Sequence, residues 1–421
     1  MKRYAPGERR RATGAPAEAK RGSQGSPRSE AWGDRGGKAP RIFRDIPFAK
    51  PEFDEAEAQA VADVLRSGWV SQGPAVERFE RIFAERVGAR HAVATSSCTT
   101  ALHLALVLAG VGPGDEVICP SYTFIATSNA VLYTGATPVF ADIEANTWNI
   151  DPTDVVTRLS SRTKAIIAVD QVGLPADIDR LIGLVPKNVS IVEDAACAIG
   201  SRYHGRPVGS YGDLVCFSFH PRKTISTGEG GMLTTADSQI AERARGLRSH
   251  GASVSAFSRH ASKGLVFEEY RELGYNYRMS DVQAAIGIAQ MQKLDALLAR
   301  RRAVAERYSS AFRGLSEVVL PATPAYAEHS YQSYGLMLTP ASRISRDDLL
   351  RELAARGISC RRGIPPIHLE PLYRDRFPSI VLPVTEAVAA RSIFLPMYAS
   401  LSTADQSRVT EAVTEMLTRS S

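Results

Sequence analysis

The sequence predicts an α/β fold, with a mostly parallel sheet in a large domain and a small C-terminal α+β domain. Three observations predict it. Six apolar runs rich in β-branched residues lie between residue 90 and about 235. Helical segments separate them, and a βαβα alternation gives parallel strands covered on both faces. Beyond a long helical pattern at residues 279–312 the alternation stops, and strand and helix signals mix.

In chain order, residues 1–41 come first. They hold 11 Lys/Arg and 4 Asp/Glu, whereas the other 380 residues hold 40 and 41. The basicity therefore belongs to this tail and the remaining body is near neutral, which argues against nucleic-acid binding by a folded surface. Gly, Pro, Ala, Arg and Ser dominate the tail, aliphatic residues are almost absent, and disorder is expected. It is either a dispensable extension or a functional basic arm.

Order is expected from "IPFAKPEFDEAEAQAV" onward. Val61, Val64 and Leu65, then Phe79, Ile82 and Phe83, recur at helical spacing on either side of the Gly/Pro loop "SGWVSQGP". "HAVATSS" reads as a strand, "TTALHLALVLAG" as a helix closing at Gly110, "DEVICPSYT" as a strand and "TSNAVLYTG" as a short helix. "TPVFADI", "KAIIAVDQ", "VSIVEDAA" and "DLVCFSFH" complete the six strands. The pattern from Met279 to Phe312 is one long helix or a pair. Then "YQSYGLMLT" and "ISCRRGI" read as strands, and "SRDDLLRELAARG" and "STADQSRVTEAVTEML" as helices opening at Ser/Thr caps. The expected domains are 42–314 and 315–421.

No apolar run is long enough to span a bilayer, and no apolar stretch follows the first charges, so neither a membrane span nor a secretory leader is expected. The five cysteines form no CxxC pair. A metal site or disulfide framework is not expected, Cys216 reads as core, and a reducing cytoplasmic setting fits.

Ligands of parallel sheets bind at the C-terminal strand ends. Three such ends carry chemistry. "SIVEDAACAIG" places Asp194 where an apolar strand yields to small residues, and a carboxylate there needs a cationic partner. "SSCTTALHLAL" places Ser97, Thr99 and Thr100 at a helix N-terminus, where N–H groups and hydroxyls bind anions. "CFSFHPRKTISTGEGGML" places Ser218 and Lys223 before a glycine cluster. Taken singly, each has a plainer reading: a turn aspartate, an N-cap, a surface lysine. Together they supply a phosphate cradle, a carboxylate and an amine, the three needs of pyridoxal 5′-phosphate. The carboxylate would keep the ring nitrogen protonated. Desolvation and cationic neighbours would lower the lysine pKa so that it attacks carbonyls and shuttles protons. Phe124, after another strand end, would cover the ring face; its plainer reading is core.

The sequence resembles the DegT/DnrJ/EryC1/StrS family of sugar aminotransferases over roughly residues 45–415. The resemblance is carried by "RSGWVSQGPAVERFE", "GPGDEVICPSYTFIAT", "GATPVFADI", "VEDAACAIGS", "FSFHPRKTISTGEGGM", "LGYNYRMSDVQAAIG" and "LPVTEAVAARSIFLPMY". It implies the fold-type I, aspartate aminotransferase-like architecture. It also implies that Lys223 is the Schiff-base lysine and Asp194 the partner of the pyridinium nitrogen. Thr99, Thr100 and Ser218 would bind the phosphate, and Phe124 would stack on the ring. Asn276 would reach the phosphate of a neighbouring subunit's cofactor, since the family builds each site from two chains of a homodimer. Relatives that act as sugar 3-dehydratases carry histidine in place of the lysine; Lys223 implies transamination, with His220 three residues earlier a pocket residue. Relatives often place Gln or His three residues after the carboxylate, bonded to the ring O3′. Here Cys197 stands there, a weak donor: it keeps the contact, or a water or another group takes over. Cys98 replaces a small residue and is expected to pack. Trp69 and Gln72 would line the sugar site, and Arg278 and His368 are further substrate candidates, Arg278 for a nucleotide diphosphate or else an interface ion pair.

The implied reaction has two halves. L-glutamate gives its amino group to the cofactor, and a keto-sugar, expected to be a nucleotide-linked keto-6-deoxysugar, then takes it. A keto-cyclitol acceptor stays open, as does a non-catalytic sensor on the same fold. Antibiotic sugars and polysaccharides are candidate destinations.

Overall fold

Burial of β-branched runs organises the main sheet. The computed structural model describes residues 45–253 and 267–418; the tail at 1–41, expected to be disordered, lies outside them. Helices α1 (Glu55–Ser67) and α2 (Pro74–Val87) lead into β1 (His91–Thr95), α3 (Cys98–Leu108), β2 (Glu116–Pro120), α4 (Ala126–Tyr133) and β3 (Thr137–Ala141). Then come α5 (Pro152–Arg158), β4 (Thr163–Val169), α6 (Ile178–Leu184), β5 (Ser190–Asp194), the two-residue strands β6 (Arg202–Tyr203) and β7 (Arg206–Pro207), β8 (Leu214–Ser218), β9 (Gly231–Thr235) and α7 (Ser238–Leu247).

Seven of these strands form one sheet in the order β1-β9-β8-β5-β4-β2-β3. Pairing is parallel from β8 to β3, and β9 runs antiparallel between β1 and β8. All six expected strands are present. The sequence reading missed β9, because its start at Gly231 belongs to the glycine cluster and the apolar run is short. Gly231 has a structural reason: a Cβ there would meet the Ser97 carbonyl carbon at 2.4 Å. Only glycine lets β9 pass so close to the α3 entrance.

The pattern at 279–312 is one helix, α8 (Asp281–Phe312), opened by a Ser280/Gln283 capping box. Its first half (Ala284, Ile288, Leu294, Leu298) packs with Phe79, Phe83 and Phe217. Its second half (Val304, Tyr308, Phe312) joins the core of a second sheet. That sheet comprises β10 (Val318–Val319), β12 (Tyr334–Leu338), β13 (Arg361–Arg362) and β14 (Ser392–Leu395), in the order β10-β12-β14-β13, all antiparallel. The intervening β11 (Ala327–Glu328) pairs with β6. Helix α9 (Arg346–Ala355) opens at the Ser345 cap as expected, and its Leu349 and Leu353 share a core with Leu336, Val409 and Val413. The last helices are α10 (Pro371–Arg374), α11 (Pro383–Arg391) and α12 (Thr403–Thr418). Among the described residues no helix is long and apolar enough to cross a membrane.

Adjacent acids end β5. Glu193 and Asp194 alternate faces, and Glu193 is buried beside Asp170 inside the fold. Burial pushes Glu193 from its ordinary 4.5 up to about 7; burial and the Glu193 charge hold Asp170 well above its usual range. The pair therefore shares a proton when folded. A carboxyl raised by folding stabilises fully below its unfolded pKa, and that contribution is lost as pH rises through the folded value. Glu193→Gln, which stays neutral, should therefore gain on the wild type in melting temperature as pH passes from mildly acidic to mildly alkaline. Parallel melting curves for the two proteins across pH would contradict the shared proton.

Candidate active site

Chemistry-bearing side chains gather where the parallel strands end. β1 turns into α3 through Ser97, whose hydroxyl accepts from the Thr100 N–H at 3.2 Å. Thr100 Oγ1 accepts from the Ser97 N–H at 3.1 Å. This reciprocal cap fixes the first turn of α3, with Thr99 beside it, in the form that binds anions. Ser218 closes β8, and its Oγ accepts from the His220 N–H at 3.4 Å.

Asp194 is 5% exposed. Thr127 Oγ1 donates to its Oδ2 at 2.8 Å and the Ala196 N–H donates to Oδ1 at 3.2 Å. Cys98 packs as expected, its Sγ 4.0 Å from Oδ1. Burial raises the Asp194 carboxyl above its ordinary value, against the pull of Thr127 and the Lys223 charge. A carboxylate so placed is completed by a cation on its open side.

Lys223 sits in the turn after β8, its N–H donating to His220 O at 2.8 Å. Its Nζ lies 3.1 Å from Cys197 Sγ. Burial, the largest single effect, pulls the amine down, but Cys197, Cys98 and Asp194 together outweigh it, and the net direction is up. This corrects the expected lowering: the neighbours of Nζ are acidic groups rather than cations. His220 is part-buried, with its ring Nδ1 accepting from the Arg222 N–H at 3.2 Å. Burial and the Arg222 charge lower its pKa. Phe124 is 67% exposed after β2, an apolar face large enough to be covered by a planar ligand.

The sequence reading passed over the segment that ties these turns together. Gln332 Nε2 donates to Arg222 O at 2.7 Å, and Ser330 Oγ donates to Cys197 O at 3.2 Å. The Ser330 N–H donates to Gly173 O at 3.1 Å. Residues 330–332 thus hold the loops after β4, β5 and β8 in one arrangement. Gly173 permits the approach: at φ +100° it has no Cβ to meet Ser330 Oγ, which would lie 2.3 Å away. Removing the Gln332 bond (Gln332→Ala) should lower kcat up to about tenfold, the worth of one buried hydrogen bond, with little change in KM. An unchanged kcat would deny the clamp a role in placing Lys223.

The remaining candidates form a second group. Trp69 Nε1 donates to Gln72 O at 3.0 Å. The loop then docks on α8, where the Asp281 carboxylate accepts from the Gly73, Ala75 and Val76 N–H groups at 2.7, 3.0 and 3.1 Å. Asn276, exposed, and Arg278, part-buried, lie just before that helix. The 69–73 loop thus meets α8, whereas Asn276 pairs with Ser249 beyond α7 and the neighbouring Tyr277 O accepts from the Ser96 N–H at 2.8 Å, at the entrance of α3. Beside Gln72 opens a cavity of about 480 Å³, lined by Glu77, Arg243, Arg248 and Ser249 among others. His368 is 2% exposed; its Nδ1 meets Ser121 Oγ at 2.7 Å and its Nε2 meets Glu386 at 3.2 Å. Both nitrogens are engaged, and the ring pins the turn Ile367–Leu369 to the end of β2.

An amine, a buried carboxylate on the neighbouring strand end, a capped helix N-terminus and an exposed phenyl ring fit pyridoxal 5′-phosphate. Among the described residues no three of His, Cys, Asp and Glu cluster as a metal site. The chain matches the DegT/DnrJ/EryC1/StrS aminotransferase family model over residues 51–414. It belongs to that family. The spore coat polysaccharide biosynthesis protein SpsC of Bacillus subtilis (strain 168) is 39% identical over 377 residues, 88% of this chain and 97% of that protein. The sugar aminotransferase Spr1654 of Streptococcus pneumoniae, solved in its PMP form, superposes with a TM-score of 0.83 at 32% identity, covering 88% of this chain and 99% of that one. S. venezuelae DesV, solved in complex with a ketimine intermediate, superposes with a TM-score of 0.82 at 36% identity, covering 90% and 100%. Like these DegT/DnrJ/EryC1/StrS proteins, the chain is a PLP-dependent aminotransferase of fold-type I, in a family of sugar aminotransferases.

Proposed function

We propose that this enzyme transfers the amino group of L-glutamate to a nucleotide-linked keto-6-deoxysugar, as a cytoplasmic homodimer with shared active sites. The observation that carries the reading is the convergence of the Lys223 amine and the buried Asp194 carboxylate on one set of strand ends.

Bound pyridoxal phosphate supplies an aldehyde for the amine and a ring that accepts the electron pair freed at the donor's alpha carbon. The chain's own residues do the rest. The α3 N-terminus with Thr99 and Thr100, and Ser218, hold the phosphate. Asp194 keeps a proton on the ring nitrogen, and Thr127 and the Ala196 N–H hold Asp194 in place. Phe124 covers one ring face and excludes water from it. Lys223 Nζ takes the proton from the alpha carbon and returns it at C4′; in the sugar half the same atom moves the proton in reverse. Cys197 would meet the ring's O3′ with a weak contact, or a water or another group would take over there.

The acceptor reading draws on the relatives: SpsC is named for polysaccharide biosynthesis and Spr1654 for sugar amination. Arg278 suits a diphosphate by its planar fork of donors, and Trp69 and Gln72 line the sugar side. Phe267 and Leu273, 83% and 84% exposed, precede Asn276 in the chain and offer apolar surface to a second copy. Five cysteines outside any disulfide suit a reducing compartment.

The test supplies the PLP-loaded protein with L-glutamate and a panel of nucleotide keto-sugars, free keto-sugars and a keto-cyclitol. Formation of 2-oxoglutarate with an amino nucleotide-sugar is expected. Amination confined to unlinked acceptors would overturn the nucleotide assignment.

A further inference from the structure

We propose that Cys197 and Lys223 form an oxidation site, at which a hydroperoxide joins the two side chains through a reversible sulfur–nitrogen bond. Two separate observations lead there. First, all five cysteines lie outside disulfides and four are buried, with Cys197 alone part-exposed. Burial pushes the thiols of Cys98, Cys119, Cys216 and Cys360 up, away from the reactive thiolate. Second, Cys197 Sγ is 3.1 Å from an amine, the cationic surroundings in which oxidisable cysteines are found. The contact is held from both sides: Ser330 Oγ fixes Cys197 O at 3.2 Å, and Gln332 Nε2 fixes Arg222 O at 2.7 Å, one residue before Lys223.

The chemistry balances with peroxide as the only added reactant. The O–O bond breaks, Cys197 becomes the sulfenic acid and one water leaves. The neutral Lys223 amine then attacks sulfur. The S–N bond forms, the S–O bond breaks, and hydroxyl leaves with an amine proton as a second water. Sulfur gives up two electrons and peroxide takes them. The first step also prepares the second. It converts the sulfur that holds the amine's proton into the electrophile, and burial, the largest effect on Lys223, favours the free amine.

The consequence rests on the function proposed above, although the bond does not. While Lys223 carries the cofactor its nitrogen is engaged and the site is protected. In the cofactor-free chain, oxidation would block cofactor attachment until a thiol reduces the bond.

The test treats the full-length chain, cofactor-free or PLP-loaded, with hydrogen peroxide and maps the peptides by mass spectrometry. A cross-linked pair carrying Cys197 and Lys223, short of two hydrogens and parted by dithiothreitol, is expected in the cofactor-free protein. It should be absent from Cys197→Ser, and in Lys223→Arg oxidation should stop at the cysteine acids. Sulfinic acid without a cross-link, or an unreacted Cys197, in the cofactor-free wild type would overturn the proposal. A cross-link formed equally in the loaded protein would support the bond and count against Lys223 as the cofactor lysine.

Discussion

Replacing Lys223 by alanine should reduce turnover by at least about 1000-fold, because a positioned general base alone contributes about 10²–10⁴-fold and the covalent anchor is lost with it. The loss should fall on kcat. Asp194, the α3 N-terminus, Ser218 and Phe124 do not depend on the Lys223 side chain, so the variant should still bind the cofactor, now without a covalent bond. The fold should survive, since the Lys223 amine bonds the Cys197 sulfur, at 3.1 Å, and its turn is held by backbone and by Gln332. Melting near the wild-type temperature with turnover near zero is the expected pair of results. Turnover within about tenfold of wild type, less than a single general base contributes, would remove Lys223 from the chemistry.

Asp194→Asn should separate function from stability in opposite directions. The amide keeps an acceptor for Thr127 or for the Ala196 N–H, but it cannot hold a proton on a ring nitrogen. Removing one member of a buried charge pair costs about 3–5 kcal/mol, so turnover should drop by roughly 10²–10⁴-fold. The cofactor-free fold should not suffer. Burial raises this carboxyl when the chain folds, so the ionised group opposes folding at neutral pH. Cofactor-free Asp194→Asn should therefore melt at or above the wild-type temperature. A destabilised variant that keeps its turnover would show that the carboxylate serves the fold instead.

Those two residues were legible in the sequence for a physical reason. A lysine and an aspartate at the ends of apolar strands are costly, and cost marks a site when the strands belong to one parallel sheet. The six parallel strands were legible from their β-branched runs, and α8 from its periodicity and its Ser280 cap. Less legible was whatever depends on contacts distant in sequence. Strand β9 is short and hidden behind glycine. Thr127 meets Asp194 across the β2 and β5 ends, and Gln332 reaches Arg222 from a segment 110 residues away. The Glu193–Asp170 pair is written as two ordinary acids until β4 and β5 lie side by side. His368 shows the converse: a histidine among prolines suggests a ligand contact, but Ser121 and Glu386 occupy both its nitrogens. The rise in the Lys223 pKa was invisible for the same reason, since Cys197 meets the amine only after β5 and β8 pair.

Every role assigned to the site depends on Lys223 carrying the cofactor. The measurement that tests it most directly is borohydride reduction of the PLP-loaded protein followed by peptide mapping. A pyridoxyl group on Lys223, absent after Lys223→Ala, is the predicted result. A label on another lysine, or no label on a protein that still holds the cofactor, would contradict it.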